Sequence, residues 1–148
     1  MRSENDVTEM SAPVISVIIA SYNTRELLSQ CLASIYSAPP DRPFEVLVMD
    51  DASKDGSGEM VRETFPQVRL VVNEENRGYA YSNNLAMAIS RGRFVYLLNS
   101  DTEVSRDLVR GLVDVAETDA RIGILGPKIY YHEPNNVIWS AGGTGVRK

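Results

Sequence analysis

Four short apolar runs, each followed by residues with helical spacing, constrain the fold of this 148-residue chain more than any other feature. The runs are rich in Val, Ile and Leu with little polar alternation, which is typical of strands covered on both faces of a parallel sheet. We predict strands over Val14–Ala20, Phe44–Asp50, Val68–Asn73 and Arg93–Asn99. Strands that alternate with helices on short links indicate a three-layer α/β/α fold with a mainly parallel sheet.

Helix signals lie between and after these strands. Asn23 with Glu26 three residues on is the pattern that caps a helix, and Pro39 ends this one. Further helices are predicted over residues 56–65, over Tyr79–Ser90, and after a cap at Ser105. Their apolar stripes are Leu27, Leu28, Cys31 and Ile35 in the first, Tyr81, Leu85, Ala88 and Ile89 in the third, and Leu108, Val109, Leu112, Val113 and Ala116 in the fourth. Two more strands are predicted over Ile122–Ile129 and Asn136–Gly143.

Composition narrows the class of protein. A net charge of −5 and a pI near 4.9 argue against a nucleic-acid partner, which requires a basic face. The single cysteine, Cys31, excludes an internal disulfide or a multi-cysteine zinc cluster, and its place on an apolar stripe favours a buried, inert thiol. Residues 1–12 are polar and predict a disordered leader before one domain over 13–148. With no apolar run of membrane-spanning length we expect a cytoplasmic protein, and peripheral membrane contact stays open.

Polar clusters follow all four predicted strands, where a parallel sheet places its ligand sites. They are Ser21-Tyr22-Asn23, Asp50-Asp51, Asn76-Arg77-Gly78 and Asn99-Ser100-Asp101. Each cluster alone has an ordinary explanation as a helix cap, a turn or a solvated surface residue. Because the carboxyl ends of parallel strands meet at one edge, the four together predict a site.

The chemistry of these clusters suits a nucleoside diphosphate. The ring of Tyr22 could lie against a flat base, and the helix that follows would favour a nearby phosphate. Strand alternation turns Asp50 and Asp51 to opposite sides, so one of them can face the site and accept a hydrogen bond from a base or a ribose. Arg77 could meet phosphate or base. Asp101 could hold a divalent cation, since phosphate oxygens and waters fill the remaining coordination positions.

In this order and spacing the segments resemble glycosyltransferase family 2, which has the nucleotide-sugar-binding GT-A fold. The matching residues are Ile15–Asn23 "ISVIIASYN", Val46–Ser57 "VLVMDDASKDGS", Asn73–Ala88 "NEENRGYAYSNNLAMA" and Arg93–Val104 "RFVYLLNSDTEV". The later "IGILGPKIY" and "SAGG" look most like the rhamnosyltransferase branch of that family.

The resemblance implies a role for each site residue. Ser21, Tyr22, Asp51, Arg77 and Ser100 would bind the nucleotide sugar, with Tyr22 beside the base or diphosphate, Asp51 reading the base, Arg77 near both, and Ser100 by the ribose. Asp101, at the family's DxD position, would bind Mg²⁺ or Mn²⁺, although Asn99 and Ser100 replace carboxylates seen in many relatives. The donor would be a dTDP-, UDP- or GDP-sugar, and the acceptor a glycan or lipid-linked glycan.

The family's general base is an acidic residue well downstream of the DxD position. The acids after Asp101 fit turns, a helix and a loop instead: Glu103, Asp107, Asp114, Glu117, Asp119 and Glu133. We therefore expect the base of this inverting enzyme beyond Lys148, which leaves this chain as a donor-binding portion that is inactive alone.

Other classes of protein fit less well. Nucleotidyltransferases and dinucleotide-binding oxidoreductases carry a glycine-rich loop after the first strand, whereas "ASYNTRE" contains no glycine. A non-catalytic nucleotide-binding module stays open as an alternative.

Overall fold

The computed structural model describes residues 12–142, which divide into two compact units, one up to Ser105 and the other from Arg106. Most of the predicted leader, residues 1–11, lies outside the described residues, as do residues 143–148. None of the helices within 12–142 combines the length and apolar character needed to cross a membrane.

The first unit alternates strands and helices along the chain. Its elements are β1 (Ile15–Ser21), α1 (Arg25–Ser37), β2 (Phe44–Asp50), α2 (Ser57–Thr64), β3 (Arg69–Val72), α3 (Tyr79–Ile89) and β4 (Phe94–Asn99). All four strands pair in parallel, in the order β3-β2-β1-β4. The prediction of an α/β fold with a parallel sheet is confirmed, and β2 has the predicted bounds.

Three layers follow from the strand order. Steps from β1 to β2 to β3 run one way across the sheet and the step from β3 to β4 runs back, so right-handed connections place α1 and α2 on one face and α3 on the other. On the α3 face, Ile18, Leu47 and Met49 pack with Ala86. On the opposite face, the ring of Tyr36 in α1 lies 6.0 Å from that of Phe44 and 6.1 Å from that of Phe65.

The register brings all four strand ends to one level. Ser21 pairs with Asp50, Asp50 pairs with Val72, and Ala20 pairs with Asn99. The amide of Asp51 extends the ladder by donating to the Ser21 carbonyl at 2.9 Å. The four polar clusters therefore follow strands that end together, as the sequence predicts.

The buried face of α3 differs from the predicted one. Its buried residues are Ser82, Asn83 and Ala86, whereas Tyr81 and Ala88 are exposed and Leu85 is partly buried. A prediction from the spacing of apolar residues assumes that polar residues of a helix face solvent. Here the Ser82 hydroxyl accepts a hydrogen bond from Asn73, and the Asn83 amide nitrogen donates to the Tyr79 carbonyl, whereas the buried Asn83 Oδ1 has no hydrogen-bond partner among the described residues.

The predicted starts of two helices are also wrong. Thr24, not Asn23, is the N-cap of α1, because Asn23 adopts a left-handed conformation with φ of 52° and bonds elsewhere. In the same helix Leu27 is exposed and Leu32 is buried, which rotates the predicted stripe slightly. In the second unit Asp107, not Ser105, precedes the helix α4 (Leu108–Ala116).

The second unit holds α4 and a small antiparallel sheet of β5 (Ile129–Tyr130) and β6 (Ile138–Ser140). In α4 the buried side chains are Val109 and Val113, which confirms the centre of the predicted stripe. The strand predicted over Ile122–Ile129 is wrong except at its last residue, and β6 is shorter than predicted. Gly126 and Pro127 explain the first error, since glycine weakens a strand and proline cannot donate to a ladder.

Gly92 is the position where the first unit tolerates no side chain. Its N–H donates to the Ser16 hydroxyl at 2.8 Å, and a Cβ would lie 2.7 Å from the Ile15 carbonyl carbon. We expect Gly92→Ala to lower the free energy of unfolding by about 1–3 kcal/mol in urea titrations. The control is Gly111→Ala in α4, where a Cβ meets nothing within 4 Å and should raise stability by about 0.5–1 kcal/mol. Wild-type stability of Gly92→Ala would contradict this packing.

Candidate functional site

All six predicted site residues lie at the carboxyl edge of the sheet, in two sets. Tyr22, with 47% of its surface exposed, and the exposed Arg77 and Asp101 present their side chains to solvent. Ser21, Asp51 and Ser100 are buried, with at most 7% exposed. The exposed set can touch a ligand directly, and the buried set lies beneath it.

The loops after β1 and β2 are fastened to each other by Asn23. Its side-chain oxygen accepts a hydrogen bond from the backbone amide of Lys54 at 2.8 Å, and its backbone amide donates to the Ser53 hydroxyl at 2.9 Å. Asn23 and Ala52 both have left-handed backbones, with φ of 52° and 65°. An alanine in this conformation costs about 1–2 kcal/mol, so the loop after β2 carries backbone strain at Ala52, next to Asp51.

Asp50 and Asp51 point to opposite faces of the sheet, as alternation predicts. Asp50 lies on the α2 side, where its carboxylate accepts from the Ser53 amide at 2.9 Å and lies 3.0 Å from where a Cβ on Gly58 would be. Asp51 lies on the α3 side. Only Asp51 therefore reaches the loop that carries Arg77.

The Asp51 carboxylate holds the loop between β3 and α3. It accepts from the Asn73 amide at 2.7 Å, from the Arg77 N–H at 3.0 and 3.2 Å, and from the Gly78 N–H at 2.8 Å. Burial alone would raise the pKa of Asp51, but these hydrogen bonds outweigh burial and hold the pKa below its usual range. The charge is thus stabilised by backbone and amide donors at the start of α3.

Asp55 serves the first turns of two helices. One carboxylate oxygen accepts from the Arg25 amide at the start of α1, at 2.8 Å. The other accepts from the Ser57 amide and hydroxyl at the start of α2, at 3.0 and 2.6 Å. Burial would raise the pKa of Asp55, yet the hydrogen bonds from Ser57 and Arg25 lower it. Asp55 thereby holds the amino ends of α1 and α2 together beside the site.

Arg77 combines a fixed backbone with an exposed side chain. Its N–H is held by Asp51, whereas its guanidinium lies 4.4 Å from the centre of the Tyr81 ring and 3.6 Å from a Glu75 oxygen. The exposed ring and the salt bridge support the guanidinium without burying it. Arg77 can therefore meet an anion or the face of a base.

The loop that begins at Asn99 carries the candidate metal ligand. The exposed Asn99 amide oxygen accepts from the Tyr79 hydroxyl at 3.0 Å, and the buried Ser100 hydroxyl accepts from Thr24 at 3.1 Å. Asp101 is exposed. No three His, Cys, Asp or Glu side chains within residues 12–142 form a metal-binding group. One exposed carboxylate still fits Mg²⁺ or Mn²⁺ when phosphate oxygens and waters complete the coordination.

Cys31 lies beneath this loop. It is fully buried, and its thiol donates to the Asn99 carbonyl at 3.7 Å. Burial raises the pKa of Cys31 to about 12, so the thiol stays protonated at neutral pH. The expectation of a buried cysteine is confirmed, and its inertness stays a prediction.

Three residues of this arrangement escape prediction from the sequence. Thr24 links β1 to β4, Asn73 supports Asp51, and Tyr79 contacts Asn99. In the sequence Thr24 is explained as part of a helix cap and Asn73 as a residue at a strand end, so neither is singled out as a site residue. Their one signal is that each follows an apolar run at the same edge, where polar side chains can meet.

With this geometry in hand, comparison with known proteins identifies the family. The sequence profile of glycosyl transferase family 2 matches residues 16–144, nearly the whole chain, and the chain belongs to that family. A glycosyltransferase of Bacillus subtilis, YfnE, whose role is uncharacterized, is 34% identical over 113 residues, which is 75% of this chain and 29% of YfnE.

Solved structures agree on the fold. The mannosyltransferase PcManGT from Pyrobaculum calidifontis, in complex with GDP-Man and Mn²⁺, superposes with a TM-score of 0.62 at 32% identity, over 71% of this chain and 32% of its own. TarS 1–349 of S. aureus in complex with UDP-GlcNAc gives 0.61 at 28% identity, over 70% of this chain and 31% of TarS. The GT-A fold is confirmed, and the chain spans less than half the length of these relatives.

Lowered carboxyl pKa values predict how stability depends on pH. The pKa values of Asp51, Asp55 and Glu45 are lowered in the folded chain, so protonation favours unfolding. The three carboxylates contribute fully to the free energy of unfolding at pH values above their pKa values in the unfolded chain, about 4. This contribution is lost as the pH falls through their pKa values in the folded chain. We expect the free energy of unfolding to be level between about pH 5 and 7 and to fall below about pH 4.5.

Asp51→Asn tests the source of that loss. The variant should be less stable at pH 7, because an amide offers fewer acceptors to the loop, and should lose less stability between about pH 5 and 3. Urea titrations across this range measure both effects. Wild-type and variant curves that run parallel over the whole range would show that Asp51 contributes nothing to the acid response.

Proposed function

We propose that this chain is the donor-binding part of an inverting glycosyltransferase that transfers a sugar from a nucleotide diphosphate to an acceptor hydroxyl. Family membership supports sugar transfer. The observation that carries the donor-binding role is the exposure of Tyr22, Arg77 and Asp101 at one sheet edge above buried, hydrogen-bonded side chains. An aromatic ring, a guanidinium and a carboxylate suit the base, the phosphates and the cation of such a donor.

Each exposed side chain has a proposed contact. Tyr22 lies against the base or diphosphate, and Arg77 contacts the diphosphate or the base edge. The resemblance assigns base reading to Asp51 and a ribose position to Ser100, and both stay predictions. Their burial favours a supporting role as well: Asp51 beneath Arg77, and Ser100, with Ser21, beneath Asp101.

Asp101 would hold Mg²⁺ or Mn²⁺. When bound, the cation would neutralise the charge that grows on the diphosphate as it leaves the sugar. The chain's part is to present one exposed carboxylate just after the end of β4. The complex of PcManGT with GDP-Man and Mn²⁺ supports the use of a divalent cation with such a donor.

The acceptor half of the reaction rests on the family resemblance. A general base would deprotonate the acceptor hydroxyl, which would attack the anomeric carbon on the face opposite the diphosphate and invert it. We assign the role of general base to no residue between positions 12 and 142. We further propose a glycan or lipid-linked glycan acceptor, a bacterial surface-polysaccharide setting and a cytoplasmic location. The donor sugar, with rhamnose as the prediction from the sequence, belongs to the same proposal.

Calorimetry with UDP, GDP and dTDP, each with and without Mn²⁺, tests the donor site. We expect Mn²⁺ to tighten binding of at least one nucleotide about tenfold, equivalent to about 1.4 kcal/mol. Asp101→Ala should abolish that gain and leave metal-free binding unchanged. Glu63→Ala, which removes an exposed acid on α2, is the matched control and should bind as wild type does.

Two results would contradict the proposed site. One is the absence of binding to all three nucleotides in Mn²⁺. The other is a Mn²⁺-dependent gain that survives in Asp101→Ala, since the cation would then be held elsewhere.

A further inference from the structure

Thr24 is the N-cap residue of α1, yet its side chain does not cap the helix. Threonine at this position ordinarily accepts a hydrogen bond from an amide in the first turn. The first amide of α1, that of Arg25, donates to Asp55, from the loop after β2, at 2.8 Å. The Thr24 hydroxyl bonds to other partners.

Those partners are two buried serines. The Thr24 oxygen lies 2.8 Å from the Ser21 oxygen, and the Thr24 hydroxyl donates to Ser100 at 3.1 Å. A threonine hydroxyl has one proton, so Thr24 must accept from Ser21 when it donates to Ser100. The three hydroxyls form a directed chain from Ser21 to Ser100. Without Thr24, two buried hydroxyls would each lose a partner, which is costly.

This chain fixes the backbone that carries Asp101. Ser21 is the last residue of β1, and Ser100 lies between the end of β4 and Asp101. Two more residues of α1 hold the same segment: the Cys31 thiol donates to the Asn99 carbonyl, and the Ser34 hydroxyl accepts from the Val104 amide at 3.0 Å. Helix α1 therefore holds the loop from three points, and Thr24 is the one adjoining Asp101.

We propose that Thr24 is a positioning residue for Asp101: through Ser100 it sets where the carboxylate is presented to the divalent cation of the donor. This inference rests on the proposed donor site. In this proposal Thr24 acts through Ser100 and not by direct contact with the cation or the nucleotide. Its effect should therefore appear in the Mn²⁺-dependent part of donor affinity and in the order of the Asp101 loop.

The first measurement needs no ligand. Thr24→Val keeps the shape of the side chain and removes the hydroxyl, whereas Thr24→Ser keeps the hydroxyl. Amide hydrogen exchange in residues 100–102 should rise about tenfold in Thr24→Val and stay within about twofold of wild type in Thr24→Ser. Ser100→Ala, which removes the acceptor, should match Thr24→Val. Unchanged exchange in both Thr24→Val and Ser100→Ala would overturn the inference.

The second measurement is the gain in UDP, GDP or dTDP affinity on adding Mn²⁺. We expect Thr24→Val to reduce the gain at least about fivefold, Thr24→Ser to keep it, and metal-free affinity to stay the same in both. Thr24→Val combined with Asp101→Ala should lose no more than Asp101→Ala alone, because both act on one contact. Equal losses with and without Mn²⁺, or additive losses in the double variant, would overturn the inference.

The two measurements also separate this inference from the donor site on which it rests. If wild type shows no Mn²⁺-dependent binding, the proposed donor site fails, and the assignment of Thr24 to the cation fails with it. Faster exchange in Thr24→Val would in that case still establish that Thr24 orders the loop.

Discussion

The parallel register of β1 with its two neighbours is the constraint on which the candidate site depends. It sets Ser21 beside Asp50 and Ala20 beside Asn99, so the loops that follow begin at one level. A shift of one residue would turn every side chain of a strand to the other face and separate the residues that now meet. The buried aliphatic side chains of β1 and β2 are packed on both faces of the sheet, so a shifted strand would have to repack both layers.

Hydrogen bonds between buried polar groups fix the loops that follow the strands, and these loops carry the exposed side chains of the site. Asp51 carries a charge with little exposed surface, and the start of α3 supplies the donors that stabilise it. Ser21, Thr24 and Ser100 do the same with hydroxyls between β1, α1 and β4. Leaving any of these groups unpaired would be costly, so each loop has one favoured position. The backbones of Tyr22, Arg77 and Asp101 are therefore fixed with the loops, while their side chains stay exposed.

The sequence predicts the parts of this account that depend on apolar pattern and chain direction. Continuous apolar runs mark the strands, and parallel strands place their polar ends at one edge, so the fold, the edge and the burial of Cys31 follow from residue types alone. The apolar pattern of the sequence does not predict burial where hydrogen bonds allow polar side chains to be buried. Ser82 and Asn83 lie inside, where Asn73 and the Tyr79 carbonyl take up hydrogen bonds from or to their side chains, and Tyr81 is exposed on the outer side, where Arg77 lies over it. Thr24 stands at the start of α1, where a capping side chain is expected, but its hydroxyl bonds to Ser21 and Ser100 instead.

The central claim is that one carboxylate, Asp101, brings a divalent cation to a nucleotide held between Tyr22 and Arg77. Paramagnetic broadening of backbone NMR signals tests it most directly, by titrating Mn²⁺ into the ¹⁵N-labelled chain with saturating UDP, GDP or dTDP. The account predicts that signals around Asp101 broaden first and most strongly, followed by those of the loops with Tyr22 and Arg77. Broadening centred on the acids of the second unit, with the Asp101 signals unaffected, would contradict it.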